Sequence, residues 1–187
     1  VTEGTAIAAQ QRDRGGKALR VVVGILMMAA TVLIIFGILS RFAGGWGVPF
    51  FSFTTDRGST CTNDLTGYTC TKVTREDLNY WAEVALPEGT KVVSATYNVT
   101  HDYVLDARVE ISKADAARGL YNLRRAYGTC KDHPSPLDLD GLKGTCVMAN
   151  DDYTAQSDGA QASRLYLVGT GARPDGTRLV TLSIRSR

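Results

Sequence analysis

The stretch RVVVGILMMAATVLIIFGILS, Arg20 to Ser40, decides how the rest of the chain is read. It carries neither charge nor proline from Val21 to Ile38. Three readings compete: a membrane span, a cleaved signal peptide and a buried core helix. At ~1.5 Å rise per residue, about 20 helical residues cover the ~30 Å of a hydrocarbon core, and residues 21–40 match that length. A core helix would show a polar face, and this run has none. A signal peptide has an apolar region of only ~7–15 residues and small residues at the cleavage site. Cleavage after Ala43 or after Ser40 would place Arg41 or Ile38 at the third position before the cut. The stretch therefore reads as an uncleaved anchor.

Charge sets the expected orientation. Residues 1–20 hold Arg12, Arg14, Lys17 and Arg20 against Glu3 and Asp13, whereas residues 42–187 hold 16 basic and 17 acidic side chains. Basic residues flanking a span stay on the cytoplasmic side, so residues 1–20 form a cytoplasmic tail and the remainder lies outside. RFAGGWGVPFFSF (41–53) then reads as an aromatic belt at the membrane interface within a flexible juxtamembrane stalk, residues 41–56. Its plainer reading is a loop feeding the core of the domain at 57–187. The near-neutral balance argues against nucleic acid as a partner.

All four cysteines, Cys61, Cys70, Cys130 and Cys146, fall on the expected outer side. An even number of cysteines outside the cytosol reads as disulfides. The favoured pairing is local, Cys61 with Cys70 and Cys130 with Cys146, because TCTNDLTGYTCT (60–71) repeats its TCT around a polar turn. The longer Cys130–Cys146 loop is expected to contribute more stability. No CxxC occurs, so no metal is expected.

Periodicity supplies the elements. TREDLNYWAEVALPEG (74–89) starts at an N-cap threonine and reads as a short helix over 75–84. Val93, Ala95, Tyr97 and Val99 alternate with polar residues, as do Tyr103, Leu105, Ala107, Val109 and Ile111; these are two half-buried strands joined at residues 100–102. Ser112 opens a helix carrying Ala116, Leu120, Leu123 and Tyr127 on one face, ended by Gly128. Residues 129–161 read as a loop. SRLYLVGT (163–170) and TRLVTLSIRSR (177–187) flank the turn signal of residues 172–176. The expected fold is α+β: one transmembrane helix, then an extracytoplasmic domain with a mainly antiparallel sheet of about four strands, one or two packed helices and two disulfides.

Catalytic signatures are missing. GxSxG, HExxH and phosphate-binding glycine loops do not occur. PLDLDGLKG (136–144) fails the calcium-loop pattern, since Pro136 would occupy the first ligand position. Asp151, Asp152 and Asp158 read as a solvated polar loop. His101 and His133 are the two histidines and would serve as bases if the domain were a small envelope hydrolase. The more suggestive feature is a basic cluster, Arg118, Arg124, Arg125 and Lys131, suited to an anionic wall polymer or an acidic partner. Some of these charges also complement the negative end of their own helix. No cofactor is expected, and the span's partner is the lipid bilayer. The favoured reading is a membrane-anchored binding or accessory module; the alternative is the hydrolase.

The tail, span and stalk, with ALPEGTKVVSATYNV (85–99) and DARVEISKADAARGLYNL (106–123), resemble uncharacterised single-pass membrane proteins of actinobacteria. A leading Val1 where Met is expected reads as a GTG start translated literally. The resemblance implies a strand pair and helix following a Leu-Pro turn, and no site residues.

Overall fold

The computed structural model describes residues 3–138, 140–150 and 163–186, with side chains from residue 19 onward. It divides into two compact units, residues 1–43 and 44–187. In the first, helix α1 spans Glu3–Ala43, and its Leu19–Ala43 portion has a mean hydropathy of 2.8. Those 25 residues have the length and composition of a membrane span or a signal sequence.

The second unit is an antiparallel sheet carrying two helices. Its strands are β1 (Ser52–Thr54), β2 (Thr60–Asn63), β3 (Tyr68–Lys72), β4 (Thr90–Val99), β5 (Tyr103–Ile111), β6 (Lys143–Ala149), β7 (Arg164–Ala172) and β8 (Arg178–Ser186). Helix α2 is Arg75–Ala82 and α3 is Ala116–Tyr127, the latter preceded by a 3-10 turn at Lys113–Asp115. The sheet order is β1-β2-β3-β4-β5-β8-β7-β6. After β5 the chain crosses through α3 to the far edge and returns by β6, β7 and β8.

Among the described residues the sheet has eight strands, where about four were expected. β4, β5, β7 and β8 are the alternating ones that period two reveals. β1, β2 and β3 are only three to five residues long, too short and threonine-rich for a periodic signal. β6 lies inside the stretch read as a loop. Its Cys146, Val147, Met148 and Ala149 are all buried, because the chain before it covers the outer face: Pro136 meets Gly169, and Leu142 meets Gly171. Burial on both faces removes the alternation that would mark a strand.

Side chains opposite one another build the core in rows. Ala95, Ala107, Leu182, Val168 and Met148 cross five strands on one face, and Val109, Val180, Thr170 and Cys146 form the next row. Leu78 and Ala82 of α2 and Leu123 and Tyr127 of α3 close over them. Over β4, β5 and β8 the opposite face is polar, where Ser183 donates to Asp106 at 2.7 Å and Arg173 pairs with Glu110 at 2.9 Å; over β6 and β7 the preceding chain covers it. One dry face and one wet face is what strict alternation demands of an antiparallel sheet.

Two local readings need correcting. Val93 was expected inward with Ala95, but a bulge between Val92 and Ser94 turns it out, 47% exposed, and Val92 packs on the core instead. An extra residue in one strand flips the alternation on one side of it. On α3 the buried residues are Gly119, Leu123 and Tyr127; Leu120 is half-buried. A Cβ at Gly119 would sit 2.6 Å from Ile111 Cδ1, so the helix approaches the sheet at its glycine.

Both local disulfides are formed, Cys61–Cys70 and Cys130–Cys146. Cys61 and Cys70 face each other in the β2–β3 pair, around the turn that the repeated TCT brackets. The supposed stalk is largely folded: residues 52–54 are β1, paired with β2, and Phe53 meets Tyr68 edge-on at 5.4 Å.

Candidate binding surface

The most distinctive chemistry lies around the carboxyl end of α3. The Ser112 hydroxyl accepts from the Asp115 amide at 3.3 Å, which starts the helical segment. Gly128, at φ +88°, leaves the helix with its amide donating to Arg124 O at 2.8 Å. The chain then enters the Cys130–Cys146 crosslink, and the Lys131 amide donates to Val147 O at 2.7 Å, docking this segment against β6. Helix end, disulfide and edge strand thus hold one basic corner together.

The four expected basic residues are all exposed. Arg124 Nη2 lies 3.5 Å from Cys130 Sγ, and Arg124 and Arg125 occupy the last helical turn, next to carbonyls that carry partial negative charge. Arg118 stands apart from that end, ion-paired with Asp115 one turn back. Its guanidinium holds the Asp115 carboxyl below the usual carboxylate range, helped by the Ser112 hydroxyl. Arg118 is therefore a compensated charge.

Sequence reasoning missed Arg178 of β8, which lies near enough to Arg124 to feel its charge. Arg178 is only 9% exposed. Its Nη1 donates to Thr170 Oγ1 at 3.2 Å, while Nε has no hydrogen-bond partner. Among the described residues no carboxylate forms a salt bridge with it. Burial first, and then the neighbouring Arg124, pull its pKa below the ordinary arginine value. Taking one ion out of water costs several kcal/mol even after relaxation, so a buried arginine near a second cation is a charge short of compensation. The signal was available in principle: Arg178 stands in period-two register with Val180, Leu182 and Ile184, on the strand's dry face.

A second cleft, about 280 Å³, lies between the ends of α2 and α3. Ala82 O accepts from both Tyr127 Oη and Arg164 Nη2, Arg164 Nη1 pairs with Glu83 at 2.9 Å, and Tyr166 donates to Tyr127 O at 2.9 Å. Burial, above all, raises the Tyr127 pKa, so the phenol remains a donor. Arg164 and the two tyrosines satisfy carbonyls at the two helix ends, which is a structural task.

The two histidines occupy different connections. His101 is exposed in the turn between β4 and β5. His133 is half-buried in the chain between α3 and β6, with Nδ1 3.0 Å from Pro134 O, and lines an open cleft beside the Cys130–Cys146 crosslink. Among the described residues no group of three His, Cys, Asp or Glu is arranged to hold a metal ion. Asp151, Asp152 and Asp158 lie outside the described residues.

Compared with protein-family models, curated proteins and solved structures, the chain matches none of them.

Proposed function

We propose that the chain is a membrane-anchored extracytoplasmic binding module of a bacterial cell envelope, of the actinobacterial type that its sequence resembles. Its N-terminus lies in the cytoplasm, and its disulfide-bonded domain binds an anionic envelope partner, an acidic protein or a wall polymer, at the corner formed by Arg124, Arg125, Lys131 and Arg178. The observation that carries this reading is Arg178, buried beside Arg124 with no carboxylate salt bridge among the described residues. An anion docked there would supply the missing counter-charge. The two disulfides and the 25-residue apolar helix support placement in an oxidising compartment next to a membrane.

Two experiments test it. A cysteine at exposed Glu88 should react with an impermeant maleimide in intact cells, whereas one at Thr5 should react only after the membrane is opened; the reverse pattern sinks the orientation. A photo-crosslinking residue at position 125 should capture an acidic protein or anionic polymer in intact cells, and the yield should fall severalfold in an Arg124→Glu background. Equal capture with and without Arg124, or capture of a partner without negative charge, rejects the basic corner as the site.

A further inference from the structure

The residues that follow Ala43 do not form a loose tether. Gly44 N-terminally begins a turn in which the Gly47 amide donates to Gly44 O at 3.1 Å, and a Cβ on Gly44 would run into the carbonyl of Ser52. One buried side chain, Asn63, locks that turn onto β2. Its Nδ2 donates to Gly44 O at 2.7 Å and Val48 O at 3.2 Å, while its backbone accepts from the Phe50 amide at 2.8 Å and donates to Phe51 O at 3.0 Å. Around this hub stand four exposed apolar residues: Trp46 at 65%, Val48 at 39%, Phe50 at 76% and Leu65 at 77%. Leu65 comes from the tip of the β2–β3 hairpin, where the Asp64 amide donates to Gly67 O. It is distant in sequence from Trp46 but two residues from Asn63.

Phe50 is the telling member. Its φ of +67° is a left-handed backbone value that favours glycine or asparagine, yet the position holds a large aromatic ring facing solvent. Strain of this kind accumulates where a side chain has to be displayed.

We propose that residues 44–51 and the β2–β3 tip form a rigid foot that seats on the lipid–water interface, with Trp46, Phe50 and Leu65 as its contact points. The occupant is a bilayer because the chain enters this turn directly from the apolar Leu19–Ala43 helix. Phe50 is seven positions after Ala43, a reach of at most ~25 Å. Aromatic residues with an apolar body suit the interfacial layer. The three contact residues carry no charge, so seating depends on insertion and is indifferent to anionic headgroups. The inference rests on the reading of α1 as an uncleaved span.

The test uses the full chain in phosphatidylcholine nanodiscs, with a nitroxide on Leu65→Cys and, as a control, on Val93→Cys, which is exposed six residues along β4 from the Val99 that neighbours Tyr68. A seated foot makes the Leu65 label several-fold less accessible than the Val93 label to a water-soluble nickel relaxant and more accessible to oxygen. Phosphatidylglycerol discs should give the same result. Phe50→Gly, which suits the backbone better, should leave thermal stability equal or higher while returning the Leu65 label toward water. Equal nickel accessibility at Leu65 and Val93 overturns the foot and leaves the span intact. Protection of Leu65 accompanied by dipolar coupling between two chains assigns the surface to a second copy and also overturns it. Intact mass of protein from native membranes reads the premise separately: loss of the residues before Gly44 overturns both.

Discussion

Trp81 of α2 lies flat on Tyr97 of β4, ring centroids 4.0 Å apart and planes within 9°. Tyr97 also meets Tyr68 at 6.2 Å and Tyr103 at 5.7 Å. An eight-residue helix is too short to be stable alone, so α2 stays formed because it packs, and this stack is a large share of its packing. Trp81→Ala should cost about 3 kcal/mol, by analogy with other aromatic truncations, and Trp81→Phe distinctly less. Urea unfolding followed by circular dichroism measures both; a loss within experimental error for Trp81→Ala would show that Leu78 and Ala82 hold the helix without the stack.

The same ring gives a pH dependence. Burial first, and then the neighbouring phenols of Tyr68, Tyr103 and Tyr80, push the Tyr97 pKa up to about 12. The folded value lies above the unfolded value of about 10, so folding favours the neutral phenol. That contribution is complete below about pH 10 and is lost as pH rises through about 12. The urea midpoint should therefore hold from neutrality to about pH 10 and then fall. Tyr97→Phe should make the decline shallower, and tyrosinate absorbance should lose one late-titrating component while that of the more deeply buried Tyr127 remains.

Asp77, 1% exposed, ties the turn after β1 to the start of α2. Its carboxylate accepts from the Thr55 hydroxyl and from the Ser59 amide at 3.2 Å, while its own amide donates to Thr74 Oγ1 at 3.3 Å. Asp77→Ala removes the acceptor shared by the Thr55 hydroxyl and the Ser59 amide, leaves the Ser59 amide with Thr55 Oγ1 at 2.9 Å, and should cost about 1–3 kcal/mol. Asp77→Asn keeps an acceptor oxygen and should cost less. Urea unfolding of the two variants checks this, and equal stability of Asp77→Ala and the native chain would place the anchor elsewhere.

Burial also revises the ranking of the disulfides. Sequence separations of 9 and 16 residues favour the Cys130–Cys146 crosslink by only about 0.5 kcal/mol in the loop-entropy picture. Cys61 and Cys70 are 1% and 0% exposed, whereas in the other pair only Cys146, at 4%, is buried and Cys130 is at the surface. Each buried serine would carry a desolvation penalty of about 1–3 kcal/mol unless a partner is found, and the Cys61/Cys70 variant has one more of them, which outweighs the loop term. The Cys61→Ser/Cys70→Ser variant should thus be less stable than Cys130→Ser/Cys146→Ser, the reverse of the order loop length alone implies. Chemical denaturation of the two purified variants decides it.

Everything that depends on neighbours along the chain could be read from the sequence alone. The uncharged run of Val21–Ile38 determines an apolar helix of membrane length. Thr74 and Ser112 start their helices, Gly128 ends α3, and strict alternation marks β5 and β8. The two TCT flanks brought Cys61 and Cys70 opposite each other because a short polar turn leaves few other pairings. Contacts between distant segments were decided only in three dimensions. β6 carries no period because loop residues Pro136, Leu137 and Leu142 cover its neighbourhood from the outer side. Val93 points outward because a bulge forms where β4 meets β5. Arg178 has an ordinary strand position in sequence, and its burial near Arg124 exists only in the folded domain. Asn63 likewise reads as a turn residue until Gly44, Val48, Phe50 and Phe51 gather around it. Local backbone preference acts over a few residues, whereas burial and electrostatic compensation depend on which distant segments share a neighbourhood.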